Sequence, residues 1–179
     1  MRHGAQAQDA SFSVEDKVRV AQKLDDLGVQ YIEGGWPGAN PKDIEFFRIM
    51  KETPLKHAMI IAFGSTRKFD QPVQKDPNLQ ALLAAETGTI TLFGKSWNLH
   101  VTEALGISLD QNLELIGDSV AYLRSKHRRV FYDAEHFFDG YKANPEYALQ
   151  TIRRAVQEGA ERVILCDTNG GTMAWDIPE

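Results

Sequence analysis

The chain has little cysteine, no basic tract and no long apolar run, and each absence narrows what it can be. Cys166 is the one cysteine, so no intrachain disulfide can form and the fold must rest on its core. That usage suits a reducing compartment, and a cytoplasmic location is the expectation. Cys166 closes the apolar run Val163–Ile164–Leu165 and reads as a buried structural thiol. The longest strongly apolar stretch, Ala58 to Phe63, falls far short of the ~18 residues of a membrane span. No apolar signal segment opens the sequence. Lys and Arg total 20 against 25 Asp and Glu, a formal net charge of -5, which makes nucleic acid a poor partner. Lys126 to Arg129 is basic but stands between a helix and a strand, as a solvated turn would. No Gly-x-Gly-x-x-Gly follows a strand, and no Lys-Ser/Thr pair follows Gly170–Gly171, so neither a dinucleotide fingerprint nor a P-loop is present.

What is present is a βα alternation. The 179 residues are 42% hydrophobic, enough for one domain with a real core. Ser13 caps a helix carried by Val14, Val18, Ala21 and Leu24 and ended by Gly28. Val29 to Ile32 reads as a strand. Asn40–Pro41 opens a helix in which Ile44, Phe47 and Lys51 keep one stripe, widened by Phe46 and Met50, and Pro54 stops it. His57 to Phe63 is the next strand, followed by an irregular stretch from Arg67 to Pro77 and a helix over 78–85. Thr89 to Phe93 is a strand, and 96–106 is a loop with some helical content. Ser108 caps a helix with Leu113, Ile116, Val120 and Leu123. Arg129 to Tyr132 is a strand, and Asn144–Pro145 starts a helix with Tyr147, Ile152, Ala155 and Val156. Arg162 to Cys166 is the fifth strand, and a last helix begins after Thr172. Alternation of this kind predicts an α/β fold: parallel strands whose C-terminal ends share one rim, where such folds keep their chemistry. Five strands are too few for a closed eight-stranded barrel, which needs ~250 residues. The expectation is an incomplete TIM barrel over residues 1–179, lacking the first and last strands.

Polar residues collect on that rim. Glu33 follows a strand and precedes Gly34–Gly35, which permit a ligand to approach the backbone closely. Asp133 and Glu135 fall on one side if their strand continues that far, where two carboxylates can share a metal or hold a general acid. The alternative is a hydrogen-bonded rim network. His136 follows directly, and His100 lies in the loop after the third strand. Asp167–Thr168–Asn169–Gly170–Gly171 reads either as a ligand cradle or as an ordinary Asx turn. His57 stands at the opposite end of a strand and reads as structural.

Five segments together carry a resemblance: Arg2–His3–Gly4–Ala5–Gln6, Tyr31–Ile32–Glu33–Gly34–Gly35–Trp36–Pro37–Gly38, Phe93–Gly94–Lys95–Ser96–Trp97 with His100–Val101–Thr102–Glu103, Asp133 to Gly140, and Cys166 to Gly171. In order and spacing the chain resembles the family of isopropylmalate synthase, homocitrate synthase and hydroxymethylglutaryl-CoA lyase. The stretch Glu135 to Pro145 points to its citramalate synthase branch. The resemblance implies a TIM barrel with a divalent metal, magnesium or manganese or else zinc, at the C-terminal rim. It implies condensation of acetyl-CoA with pyruvate to (R)-citramalate and free CoA, on a route to isoleucine, by a homodimeric enzyme.

Residue by residue, the resemblance makes Arg2 the cation that neutralises charge growing on the keto oxygen. It makes Glu135 the catalytic carboxylate of its strand end. Gln6, Glu33, His100 and Thr168 become substrate-binding groups. At the position of the family's metal-binding aspartate stands His3, a softer ligand than a hard magnesium site prefers. The family's His-x-His metal motif has no counterpart in the sequence. The expectation is therefore a fragment poor in divalent metal binding and inactive by itself; the alternatives are an enzyme like 2-isopropylmalate synthase or hydroxymethylglutaryl-CoA lyase, or a non-catalytic barrel remnant.

Overall fold

The computed structural model describes residues 12–177, so Arg2, His3 and Gln6 lie outside the described residues. Helix α1 (Val14–Asp26) starts at a full capping box between Ser13 and Asp16. It leads to β1 (Tyr31–Gly35), α2 (Pro41–Glu52), β2 (Met59–Ser65), α3 (Pro77–Ala84) and β3 (Thr89–Lys95). A π-helical turn (His100–Leu105) follows, then α4 (Leu109–Ser125), β4 (Arg129–Glu135), α5 (Phe137–Ala143), α6 (Pro145–Gln157) and β5 (Arg162–Leu165). The five strands are parallel and lie in the order β1-β2-β3-β4-β5. The sheet curls without closing, for Tyr31 on β1 meets Phe131 on β4 edge to face, with ring centroids 5.1 Å apart.

The two faces of the sheet separate by alternation. Ile32, Ala62, Ile90, Leu92, Val130, Tyr132 and Ala134 face the helices and join Phe46, Leu79, Leu82, Ile116, Val120 and Leu123 in one buried cluster. The opposite face carries Tyr31, Glu33, Phe63, Thr91, Phe93, Lys95, Phe131, Asp133 and Glu135. This is the inside of the barrel. Its lower part is closed by Tyr31 and Phe131, over which the guanidinium of Arg162 lies at 5.0 and 5.2 Å. Higher up, Phe63 stacks on Phe93 at 5.1 Å and Trp36 meets Phe93 at 5.3 Å.

Several expectations are corrected by this packing. Strand β1 begins two residues later than predicted and runs on to Gly35, because Glu33 and Gly35 still pair with β2 across an irregular step. Ile44 and Val156 are exposed; the buried side of α2 is Asp43, Phe46, Phe47 and Met50, and that of α6 is Tyr147, Ala148, Thr151 and Ala155. Cys166 is half-buried, since β5 has a free edge and lacks a neighbour on its far side among the described residues. The last helix is a single 3-10 turn, Ala174–Asp176. Helix α5 was not predicted at all. A Cβ on Gly140 would sit 2.3 Å from the Ser96 carbonyl oxygen. The glycine is there so that α5 can lie against the β3 rim.

Gly34 and Gly35 are likewise required by packing. A Cβ on Gly34 would meet the ring of Phe46 at 2.7 Å, and one on Gly35 would meet the Asp43 carboxylate at 2.3 Å. Asp43 is buried, ion-paired to the buried Lys17 of α1, and accepts the Trp36 backbone N–H at 2.8 Å. A buried acid and base thus tie α1 and α2 to the loop that leaves β1.

Candidate active site

Strands β3 and β4 stay in register to their last residues, which places Lys95 opposite Glu135. The Lys95 ammonium donates to Glu135 Oε2 at 2.5 Å, and their side chains are 23% and 25% exposed. Partial burial strengthens such a pair relative to one on an open surface. The predicted extension of β4 holds, so Asp133 and Glu135 share the inward face, with Asp133 buried below Glu135.

The backbone under Lys95 is fixed from the helical layer. Asn112 of α4, fully buried, donates to the Lys95 carbonyl at 2.9 Å and to the Tyr147 hydroxyl at 2.7 Å. Burial pushes the Tyr147 phenol up to about 12, so it stays protonated. Ser96 N–H donates to the Glu135 carbonyl at 3.2 Å, and Thr151 of α6 donates to the Ser96 hydroxyl at 3.1 Å. Polar residues in the helices thereby set the height of the β3 and β4 ends.

Three loops meet above the pair. Trp97 and the π turn bring the His100 ring to 4.6 Å from the Trp97 ring and 4.5 Å from the His136 ring, centroid to centroid. His136 adopts φ 53°, a left-handed conformation uncommon outside glycine and asparagine. Its Nδ1 lies 3.1 Å from Asp139 Oδ2, to which Asn169 Nδ2 also donates at 2.9 Å. Its backbone N–H donates to Thr168 Oγ1 at 2.9 Å. Burial first, then the neighbouring His136 and Lys95, depress the pKa of His100; Glu135 and Asp139 oppose this in part. Burial and these neighbours favour the neutral imidazole of His100, the form able to accept a proton.

Of the sequence-predicted site residues, Glu135, His100 and Thr168 come together around His136. Glu33 is half-buried on β1, on the inward face, and reaches the same interior from the facing wall. The Asp167–Gly171 segment is an Asx-type turn. Asp167 accepts both the backbone and hydroxyl of Thr172, at 2.9 and 3.1 Å, and these bonds hold its carboxyl below the usual range. Its role is to present Thr168 and Asn169 to the β4 end. Sequence reading gave no role to Lys95, Asn112 or Asp139, and named Asn169 only within the Asp167–Gly171 segment. The rim position of Lys95 was legible; the other three depend on α4, α5 and the β5 loop converging in space.

Beside the pair lies a cleft of about 720 Å³, between the β2 and β3 rims, lined by Ser65, Arg67, Lys68, Phe93, Lys95 and Ile107 among others. Arg67 is anchored by Asp118 at 2.7 Å. The cleft is partly apolar, and Arg67, Lys68 and Lys95 are among its lining residues. Among the described residues no group of three or more His, Cys, Asp or Glu is placed to hold a metal ion. His3 lies outside the described residues. No helix among the described residues is long and apolar enough to cross a membrane.

The HMGL-like family model matches residues 1–178. The (R)-citramalate synthase of Geobacter sulfurreducens is 56% identical over 179 residues, covering 100% of this chain and 34% of that protein. That of Aquifex aeolicus is 54% identical, with 100% and 34% covered. A 2-isopropylmalate synthase of Halalkalibacterium halodurans is more distant, at 29% over 99% of this chain and 33% of that one. Among solved structures, hydroxymethylglutaryl-CoA lyase from Pseudomonas aeruginosa superposes with a TM-score of 0.75 at 21% identity, over 97% of this chain and 57% of that one. The chain spans about a third of the length of the curated synthases it matches.

Proposed function

Because the chain belongs to the HMGL-like family, we propose that it forms part of a citramalate synthase active site, where acetyl-CoA condenses with pyruvate to give (R)-citramalate and free CoA. The observation that carries this reading is the Lys95–Glu135 pair, with His100, its pKa depressed chiefly by burial, above it and a cleft of about 720 Å³ beside it. Likeness to citramalate synthases along the whole chain supports it.

In this reading the acetyl-CoA arm occupies the cleft, its phosphates toward Lys68 and Arg67. A proton leaves the acetyl methyl group for His100, and the C–H electron pair becomes the enolate. The enolate carbon adds to the keto carbon of pyruvate, and the new alkoxide takes up a proton. Water then adds to the thioester carbonyl, and the sulfur leaves protonated as CoA. Lys95 engages Oε2 of Glu135, leaving Oε1 as an acceptor for a substrate hydroxyl or the water. Thr168 Oγ1 already accepts from His136, so its O–H is the part left to donate to a substrate oxygen. Arg2, Gln6 and Glu33 take the roles their motifs imply, in charge neutralisation and substrate binding. The family's divalent ion finds no donor set among residues 12–177, and no step here runs through it. A cytoplasmic, homodimeric enzyme of isoleucine synthesis follows from the same reading.

The test is an assay of the full catalytic chain. Acetyl-CoA and pyruvate together should release CoA thiol and yield (R)-citramalate in equal amounts. Thiol release that does not depend on pyruvate would refute the reading.

A further inference from the structure

One group of rim residues has no part in the chemistry above. His136, Asp139 and Asn169 come from the β4 end, α5 and the β5 loop, and form a chain of contacts that ends on His100. The Asn169 amide donates to Asp139 Oδ2 at 2.9 Å, which fixes that carboxylate as an acceptor. An ionised carboxylate only accepts, so the His136 nitrogen 3.1 Å away, Nδ1, is the one that carries a proton. The orientation costs backbone strain at φ 53°, held by the bond from His136 N–H to Thr168. The ring so placed is mostly buried, with its side chain 13% exposed, and crosses the His100 ring at 79°.

We propose that His136, Asp139 and Asn169 are a positioning set for His100: Asn169 orients Asp139, Asp139 fixes the His136 ring with its proton on Nδ1, and that ring holds His100 against Trp97 in the place where it takes the substrate proton. The catalytic residue is His100; the other three act through it. The inference rests on the proposed role of His100, and the logic is that of a carboxylate that fixes a histidine tautomer and ring orientation. Four charged or titratable groups surround His100: His136 and Lys95, which favour its neutral form, and Glu135 and Asp139, which oppose it.

The test uses the full catalytic chain and has two arms. In the first, histidine-selective ¹⁵N spectra read the tautomer directly. The unaltered protein should show His136 protonated at Nδ1 across neutral pH, and Asp139→Asn should disperse that signal between tautomers. A His136 proton on Nε2 in the unaltered protein would overturn the proposal. This arm needs no turnover, so it stands even if the assigned reaction fails. In the second, His136→Asn removes the ring while keeping a residue that tolerates the left-handed backbone. The variant should lower kcat by ~10–100-fold with the KM for pyruvate within about twofold. The acid limb of its kcat profile should move to higher pH, because a neighbour that disfavours charge on His100 is gone. A loss of kcat equal at every pH, with the limb unmoved, would reduce the set to a structural role and overturn the proposal. Should His136→Asn not fold, Asn169→Ala, a substitution at an exposed residue, takes its place, and unchanged kcat there together with an unchanged tautomer signal overturns it.

Discussion

Lys95 Nζ stands 2.5 Å from Glu135 Oε2, and the two residues are partners at the last step of the β3–β4 register. A lysine this well placed does more than neutralise a charge. It engages one carboxylate oxygen, and the proposed reaction uses the other. Lys95→Met should lower kcat by roughly 10²-fold, in the range seen when a preorganised charged group is lost. Lys95→Arg should recover part of the loss, since the charge persists on a different fork. Thermal unfolding should change little in either variant, because the pair is partly solvated.

Lys17 and Asp43 are the buried counterpart of that pair, with side chains 5% and 10% exposed. Lys17→Met leaves the Asp43 carboxylate buried without its cation, with the Trp36 N–H still donating to it. Breaking a buried ion pair on one side costs about 3–5 kcal/mol. Urea unfolding should show a loss of that size, and the Trp36 emission should shift as its loop loosens. Adding Asp43→Asn to Lys17→Met should restore part of the stability, because the unpaired charge is then gone.

Gly35 has φ +149°, and a Cβ there would lie 2.3 Å from the Asp43 carboxylate. Gly35→Ala therefore combines backbone strain with a clash against the same buried pair. It should destabilise by about 2–4 kcal/mol, read as a lower urea midpoint with an unchanged slope.

Asp25 accepts three backbone N–H groups, from Lys56, His57 and Ala58, at 2.7, 2.8 and 2.7 Å. These bonds hold its carboxyl below the ordinary value of 3.8, the Lys56 bond most of all. A carboxyl with a lowered folded pKa stabilises above its unfolded pKa, and the contribution fades as pH falls through the folded value. Asp25→Asn should lower the melting temperature by roughly 5–10 °C at pH 7. That gap should close once the pH is well below 3.8.

Much of the fold could be read from local signals. Ser13, Asn40, Ser108 and Asn144 all cap the helices they were expected to cap, and the βα order gives the parallel sheet. What escaped had a tertiary cause. Helix α5 hides behind Asp139–Gly140 because the glycine answers to Ser96, forty-odd residues back, and not to its own neighbours. Ile44 and Val156 follow helical spacing but fall on the outer side, since the buried Asp43 and Thr151 take places that hydrophobic periodicity would not assign to them. At the rim, the motifs named Glu135, His100 and Thr168, and the structure places these three near one another around His136. The roles of Asn112 and Asn169 were not legible, because their partners, the Lys95 carbonyl and Asp139, are met only across separate elements.

The central claim is that the rim built by Glu135, Lys95 and His100 serves acetyl-CoA and pyruvate condensation. Its most direct measurement is kcat/KM of the full catalytic chain for pyruvate and for 2-oxoisovalerate, each with acetyl-CoA, in the unaltered protein and in Glu135→Gln. Pyruvate should be preferred by ~10-fold or more, the scale that small apolar differences in a pocket support, and Glu135→Gln should lose roughly 10²–10³-fold. A preference for 2-oxoisovalerate, or a Glu135→Gln variant as active as the unaltered protein, would contradict the account.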